Sequence, residues 1–97
     1  MMSDYEKTIR VLKALSSKPR IQILECVQKG ITNPAEIAKA LRRDRSTVEQ
    51  HLRVLLEAKI IEKVPSMSKE GQVFTQYNMR SNANEFLSRI HDLIKDF

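Results

Sequence analysis

Residues 33–58, NPAEIAKALRRDRSTVEQHLRVLLEA, constrain the fold of this chain more tightly than any other stretch, because their start signals and apolar spacing fit two short helices joined by a tight turn. Asn33 followed by Pro34 and Glu36 marks a helix start. The Asn side chain can accept from a free backbone N–H, Pro suits the first turn, and Glu three residues on can reach back. Ile37, Ala38 and Leu41 supply the inner face of this helix. Asp44 can cap a second helix, and Ser46 with Glu49 offers a capping box two residues later, so two starts are open. Val48, Leu52 and Leu55 then recur at the spacing of an amphipathic helix. Two helices joined in this way form a helix-turn-helix.

The outer face of the second helix is the candidate functional surface. At about 100° per residue, Ser46, Gln50, Arg53 and Glu57 lie opposite the apolar stripe, with Thr47 and Glu49 on its flanks. Arg matches guanine O6/N7, Gln matches adenine N6/N7, and Ser or Thr suits either a base or a phosphate. Any solvated helix also has a polar outer face, so the pattern alone only nominates these residues. Arg42, Arg43 and Arg45 place three guanidinium groups in and just after the turn, where such a helix would meet a duplex. The plain alternative there is a solvated turn with ion pairs to Asp44. Glu49 would repel phosphates, and Arg53 one turn on favours an intrahelical Glu49–Arg53 pair worth about 0.2–0.5 kcal/mol. His51 falls at the edge of the stripe, which suits a packed histidine better than a base contact.

With 97 residues there is room for a single domain, 1–97, and one modest core. Seventeen basic residues against twelve acidic ones give a formal net charge of +5, which favours a polyanionic partner. No apolar run approaches the length of a membrane span and no secretory signal opens the sequence, so the expectation is a soluble cytoplasmic protein without membrane contact. Cys26 stands alone, which excludes an intrachain disulfide and suits a small buried hydrophobe better than a redox switch. With one Cys, two His far apart, two Gly and no phosphate loop, there is no nucleophile–base or metal constellation. An enzyme, a cofactor and a tight metal site are therefore not expected.

Taken in order, the chain opens with a helix over about 1–16, for which Ser3 and Glu6 can form a capping box and which carries Tyr5, Ile9, Val11, Leu12 and Leu15. A second helix follows from Ser17 with Pro19 in its first turn, Ile21, Ile23, Leu24 and Val27 on its apolar side, and Gly30 as C-cap. Residues 31 and 32 leave room for only a short extended segment. Beyond the helix-turn-helix, residues 60–79 read as a β-hairpin: a strand at 60–64, a connection through Pro65, Ser66 and Gly71, and a strand at 72–79. Lys63 and Lys69 could stand beside a phosphate backbone, where contacts position a protein without reading sequence. Alternatively, charge and Pro65 protect an exposed strand edge. The last segment, 82–97, is a helix whose Ala83, Phe86, Leu87, Ile90, Leu93, Ile94 and Phe97 fall within a stripe about 120° wide.

In this order the chain resembles the ArsR-type winged-helix regulators over roughly residues 12–78. KALSSKPRIQILECV is similar to the family's opening helix junction, STVEQHLRVLLEAKIIEK to its recognition helix running into the first wing strand, and GQVFTQYNM to its second wing strand. The resemblance implies a mainly α fold with a small β-hairpin, the winged helix-turn-helix. It also implies a homodimer on double-stranded DNA that represses transcription, in many family members until a metal or other inducer releases it. The sequence departs from the family's metal sensors. Residues 33–41 hold no Cys where arsenic and cadmium sensors place thiolates, the last helix has one His, and Lys59 stands where a Gly usually follows the recognition helix. A left-handed non-Gly cap costs about 1 kcal/mol, so a locally different turn is expected there.

The apolar excess of both terminal helices implies a dimer interface built from Tyr5, Ile9 and Leu12 with Phe86, Leu87, Ile90, Leu93, Ile94 and Phe97. Docking of the last helix on its own domain is the alternative. A two-fold pair would set its recognition helices about 34 Å apart, which suits a pseudo-palindromic site. The competing function is a winged helix used to dock another protein within a transcription complex. Double-stranded RNA fits less well, because its deep major groove excludes side chains. The sequence names no operator and no small-molecule effector.

Overall fold

The computed structural model describes residues 2–97, with side chains from residue 5 onward. Five helices and one hairpin follow in the order α1 (Met2–Leu15), α2 (Lys18–Gln28), α3 (Pro34–Leu41), α4 (Arg45–Glu57), β1 (Ile61–Met67), β2 (Val73–Met79) and α5 (Ser81–Ile94). The mainly α, winged architecture expected from the sequence is the one observed. Asn33 caps as expected, accepting from the N–H groups of Ala35 and Glu36, and Ser17, where the second helix was expected to start, also caps by accepting from the Arg20 N–H. The capping box expected of Ser3 and Glu6 lies outside the described side chains.

Three successive helices end in the same way. Gly30, Arg42 and Lys59 all have positive φ, of 90°, 54° and 59°. At each end, two backbone N–H groups fold back onto the helix's last free carbonyls. Gly30 and Ile31 donate to Val27 and Cys26, Arg42 and Arg43 to Lys39 and Ala38, Lys59 and Ile60 to Leu56 and Leu55. This is the Schellman arrangement, and only its first instance uses glycine. Lys59 therefore corrects the expectation of a different turn, because the left-handed geometry is kept without Gly. The two bonds, at 3.0 Å each, and the burial of Ile60 and Ile61 directly after the turn oppose the cost of placing a side chain there.

The core is built from Ile23 and Leu24 of α2, Ile37 of α3, and Val48, Leu52 and Leu55 of α4, all essentially inaccessible to solvent. Ile60, Ile61 and Tyr77 close it from the hairpin side. β1 and β2 pair antiparallel from Ile61↔Met79 to Met67↔Val73. The Tyr77 N–H points away from β1 and donates to the Thr32 carbonyl, so the short stretch after α2 adds one rung to the far edge of β2. That bond also explains Pro65, which belongs to β1 and not to the connecting segment. Tyr77 and Thr75 stand two residues apart, so the Pro65↔Thr75 rung is likewise one without cross-strand hydrogen bonds. A missing N–H on the outer edge of the hairpin leaves no ladder bond unmade.

The terminal helices sit outside this core. α1 reaches it through Ala14, with Val11 and Leu15 packed against it, and α5 only through Ala83 and Leu87. Gln28 Nε2 donates to Asn84 Oδ1 at 2.9 Å and ties α5 to α2. The radius of gyration is 14.5 Å, somewhat above the roughly 13 Å of a compact chain this long.

Candidate nucleic-acid interface

Helix α4 presents its outer face free of the rest of the domain because Val48, Leu52 and Leu55 anchor the opposite face in the core. Its start is not capped as the sequence suggested. Asp44 occupies the N-cap with extended backbone, but its side chain makes no cap bond. Ser46 already lies inside the first turn, so the Ser46–Glu49 box cannot form around it. Glu49 instead accepts from Arg45 Nε at 3.3 Å, not from Arg53. Both arginines lie one turn from Glu49, and an exposed pair of this kind is worth only about 0.3–0.5 kcal/mol, so neither order is strongly selected. The consequence is that Arg53 is released from the pairing expected of it, and Arg45 is engaged.

Ser46, Gln50 and Arg53 are exposed along this face, and Thr47 is half-buried on its flank. Arg42 and Arg43 are exposed in the turn, with Arg42 on the left-handed residue itself. Among the described residues, no hydrogen bond or ion pair engages the side chains of Arg42, Arg43, Gln50 or Arg53. Lys63 is exposed on β1 directly across from Tyr77, and Lys69 is exposed in the four-residue turn closed by the Gly71 N–H on the Ser68 carbonyl. Helix start, turn and hairpin thus bring all nine nominated residues onto α4, the segment before it and the wing. Tyr77 of the wing packs into the same core as Val48, Leu52 and Leu55 of α4; burial raises its pKa first, and Glu49 and Arg45 of α4 then act on it in opposite directions.

A polar cluster that the sequence reading missed holds α4 from behind. Arg20, in the first turn of α2, donates from Nε to the Ala14 carbonyl at 2.6 Å, from Nη2 to the Lys13 carbonyl at 3.1 Å, and from Nη1 to His51 Nδ1 at 3.2 Å. A guanidinium has no acceptor, so His51 Nδ1 must accept, which places the ring proton on Nε2 and keeps the imidazole neutral. Burial lowers the His51 pKa, and Arg20 and Arg43 lower it further. His51 is thus a packed histidine, as its place on the helix suggested. Its partner lies 31 residues away, and only the pairing of a positive side chain with a half-buried His hints at it. One side chain therefore joins the last turn of α1 to the middle of α4.

Elsewhere the chain offers little chemistry. Cys26 is buried, which raises its thiol pKa, with Lys29 opposing and Glu25 adding to the shift. Among the described residues no three of His, Cys, Asp and Glu lie close enough together to hold a metal ion, and no helix is long and apolar enough to cross a membrane.

The fold and this surface define a winged helix-turn-helix domain. Residues 17–63 match the family model described as the bacterial regulatory protein, arsR family, and this places the segment in the ArsR family, as the quoted motifs implied. That family is one of DNA-binding transcription regulators. Among solved structures, a homodimeric winged helix-turn-helix DNA-binding domain, Mb0332 from Mycobacterium bovis, described as a possible ArsR-family transcriptional regulator, superposes with a TM-score of 0.80. It is 21% identical in sequence, over 98% of this chain and 84% of that one. Reduced HlyU from Vibrio cholerae gives 0.71 at 23% identity over 96% and 94% of the two chains. The transcriptional regulator HlyU from Vibrio vulnificus gives 0.64 at 21% identity over 96% and 93%. At these identities the three structures show the fold alone. No curated protein matches the chain.

Proposed function

We propose that this chain is a sequence-specific regulator of transcription that binds double-stranded DNA as a homodimer and represses by blocking polymerase at a pseudo-palindromic site in the cytoplasm. The observation that carries this reading is the outer face of α4, where Gln50 and Arg53 stand exposed and unengaged, continuous with the free guanidinium groups of Arg42 and Arg43. In this reading Gln50 and Arg53 read base edges, with Ser46 and Thr47 at the helix start reaching a base or a phosphate. Arg42, Arg43, Lys63 and Lys69 bind phosphates and set the register of the protein on the duplex. Arg45 serves partly to hold Glu49, which neutralises a carboxylate that would otherwise repel the backbone.

The dimer rests on apolar surface that the single domain leaves in water. Tyr5, Ile9 and Leu12 on α1, Phe86, Leu93 and Ile94 on α5 and Phe97 just beyond it are all exposed, while Ile90 and Leu87 are half-buried beside them. Association of α1 and α5 across a two-fold axis removes this surface from water and pairs two copies of α4 for successive major grooves. The Mycobacterium bovis domain, described as homodimeric, supports the arrangement. Repression as the sign of regulation follows from the family resemblance.

Selection of bound duplexes from a random pool tests the reading, since a half-site repeated about 34 Å apart is the expected product. On the selected site, Gln50→Ala and Arg53→Ala should each cost roughly 1–3 kcal/mol and relax the preference, with much smaller losses on a scrambled duplex. Lys69→Ala should weaken both duplexes alike and reduce the salt slope by about one unit. Equal losses on both duplexes for Gln50→Ala and Arg53→Ala would refute base readout by α4. Binding that ignores salt would favour a protein partner.

A further inference from the structure

Helix α1 ends differently from the three helices that follow it. Neither Ser16 nor Ser17 has a positive φ, and the Ser17 N–H turns to the Leu15 carbonyl at 2.9 Å instead of reaching back across the helix end. The Arg20 guanidinium takes the place of the left-handed turn, donating to the consecutive carbonyls of Lys13 at 3.1 Å and Ala14 at 2.6 Å. Arg20 is itself firmly rooted. Its backbone N–H donates to Ser17 Oγ at 3.4 Å, and Ile23 and Leu24 one turn on are fully buried. From this base the third side-chain bond, to His51 Nδ1 at 3.2 Å, reaches α4.

His51 stands between Gln50, exposed on the outer face of α4, and Leu52, buried in the core. A pull on its ring therefore acts on the rotation of α4 about its own axis. Beyond the few residues of α1 that reach the core, a cleft of about 420 Å³ separates α1 from α4, with Arg10 and Lys13 on one side and Val54 and Glu57 on the other. Close packing does not hold the two helices at a fixed angle there, and the Arg20 bridge spans the gap. Glu57 lines the same cleft, yet all three side-chain acceptors of Arg20 are neutral. An ion pair tolerates many geometries, whereas a planar fork on three placed acceptors defines a direction.

In a homodimer on DNA the seam and the reading helix are separate parts, since α1 carries Tyr5, Ile9 and Leu12 and α4 carries Gln50 and Arg53. The angle between the two helices decides how the paired copies of α4 stand to one another. One added base pair moves a half-site by about 3.4 Å and turns it by roughly 35° about the duplex axis, so a small change of that angle selects a different spacing. We propose that Arg20 is a positioning residue which, by joining the end of α1 to His51, fixes α4 against the dimer seam and sets the half-site spacing that the homodimer accepts. The proposal rests on the DNA-binding reading above and assigns part of its specificity to a side chain on the far side of α4 from the duplex.

The test titrates the intact protein with the selected site, with the same half-sites moved one base pair closer or farther apart, and with a duplex carrying a single half-site. Wild type should favour the selected spacing by roughly tenfold or more. Arg20→Lys keeps the charge but not the fork, and His51→Phe keeps a ring without an acceptor. Each should cut that ratio to roughly threefold or less, while single half-site affinity and dimer sedimentation stay within about twofold of wild type. His51→Gln restores an acceptor and should recover the wild-type ratio. The double variant Arg20→Lys, His51→Phe should lose no more than either single change, because both break one bridge. If Arg20→Lys unfolds, the contrast between His51→Phe and His51→Gln decides the matter alone. Equal losses on all four duplexes, with the ratio preserved, reduce Arg20 to a stabiliser of the α1 end and overturn the proposal, as do losses that multiply in the double variant. Wild-type protein that accepts all three spacings alike overturns the positioning role and leaves the DNA-binding reading intact. Failure of the wild-type protein to bind any duplex overturns both.

Discussion

Helices α4 and α5 are nearly equal in length, 13 and 14 residues, and each carries an apolar stripe along one side. α4 sinks Val48, Leu52 and Leu55 out of reach of solvent, whereas α5 buries no residue at all and leaves Leu93 and Ile94 largely in water. The difference comes from the neighbours. α4 is surrounded by α2, α3 and the base of the hairpin, while α5 packs against the core through Ala83 and Leu87 and is tied to α2 by the Gln28–Asn84 hydrogen bond. An amphipathic stripe thus measures how much a helix needs a partner and says nothing of whether the partner lies in the same chain.

That contrast can be broken experimentally, and the largest effect is expected at α5. Replacing Ile90 and Leu93 together by Glu should abolish self-association, removing about 1.5–3 kcal/mol of apolar burial for each side chain and adding unpaired charge to the seam. Sedimentation should report a monomer at micromolar concentration and circular dichroism an unchanged helix content. A variant that unfolds would show that α5 belongs to the core after all. Leu52→Ala in α4 should do the reverse, lowering the stability of the domain by about 2–5 kcal/mol in urea denaturation without a specific effect on the dimer contact. A loss well under 1 kcal/mol would contradict the packing described for it.

The smallest expected effect lies where α4 is tied to α1. The His51 pKa is held below its ordinary value near 6.5 by burial and by Arg20 and Arg43. The unfolded chain therefore binds this proton more readily than the folded one. The stability concerned is fully present above about pH 6.5 and is lost as the pH falls through the folded value. His51→Gln keeps an acceptor for Arg20 but does not titrate. Between pH 7.5 and 5.5, wild type should lose more stability than this variant, and parallel losses would remove His51 from the account.

How far the sequence could be read follows the same division between local and distant causes. The helix start at Ser17, the cap at Asn33, the glycine end at Gly30 and the stripe of α4 depend on residues within a turn of one another, and all are realised. The hairpin is legible as a hairpin, but a Pro within a run reads as a break, and its tolerance in β1 depends on the register Pro65↔Thr75, a pair without cross-strand hydrogen bonds that the sequence does not reveal. The choice of Arg45 over Arg53 by Glu49 was not legible, since two equivalent neighbours differ by less than thermal energy. The nominated contact residues lie together around α4 and the wing, whereas the Arg20–His51 clamp, which orients that helix from behind, has no local signature.

Two of the three left-handed helix ends belong to Arg42 and Lys59. Glycine would relieve the backbone at both positions, and it would lower the net charge of the chain from +5 to +3. Long-range attraction to a polyanion sets how often a protein meets it in solution, and this attraction scales with the charge given up. The chain therefore trades resistance to unfolding against speed of encounter at the ends of the two helices that make up its helix-turn-helix.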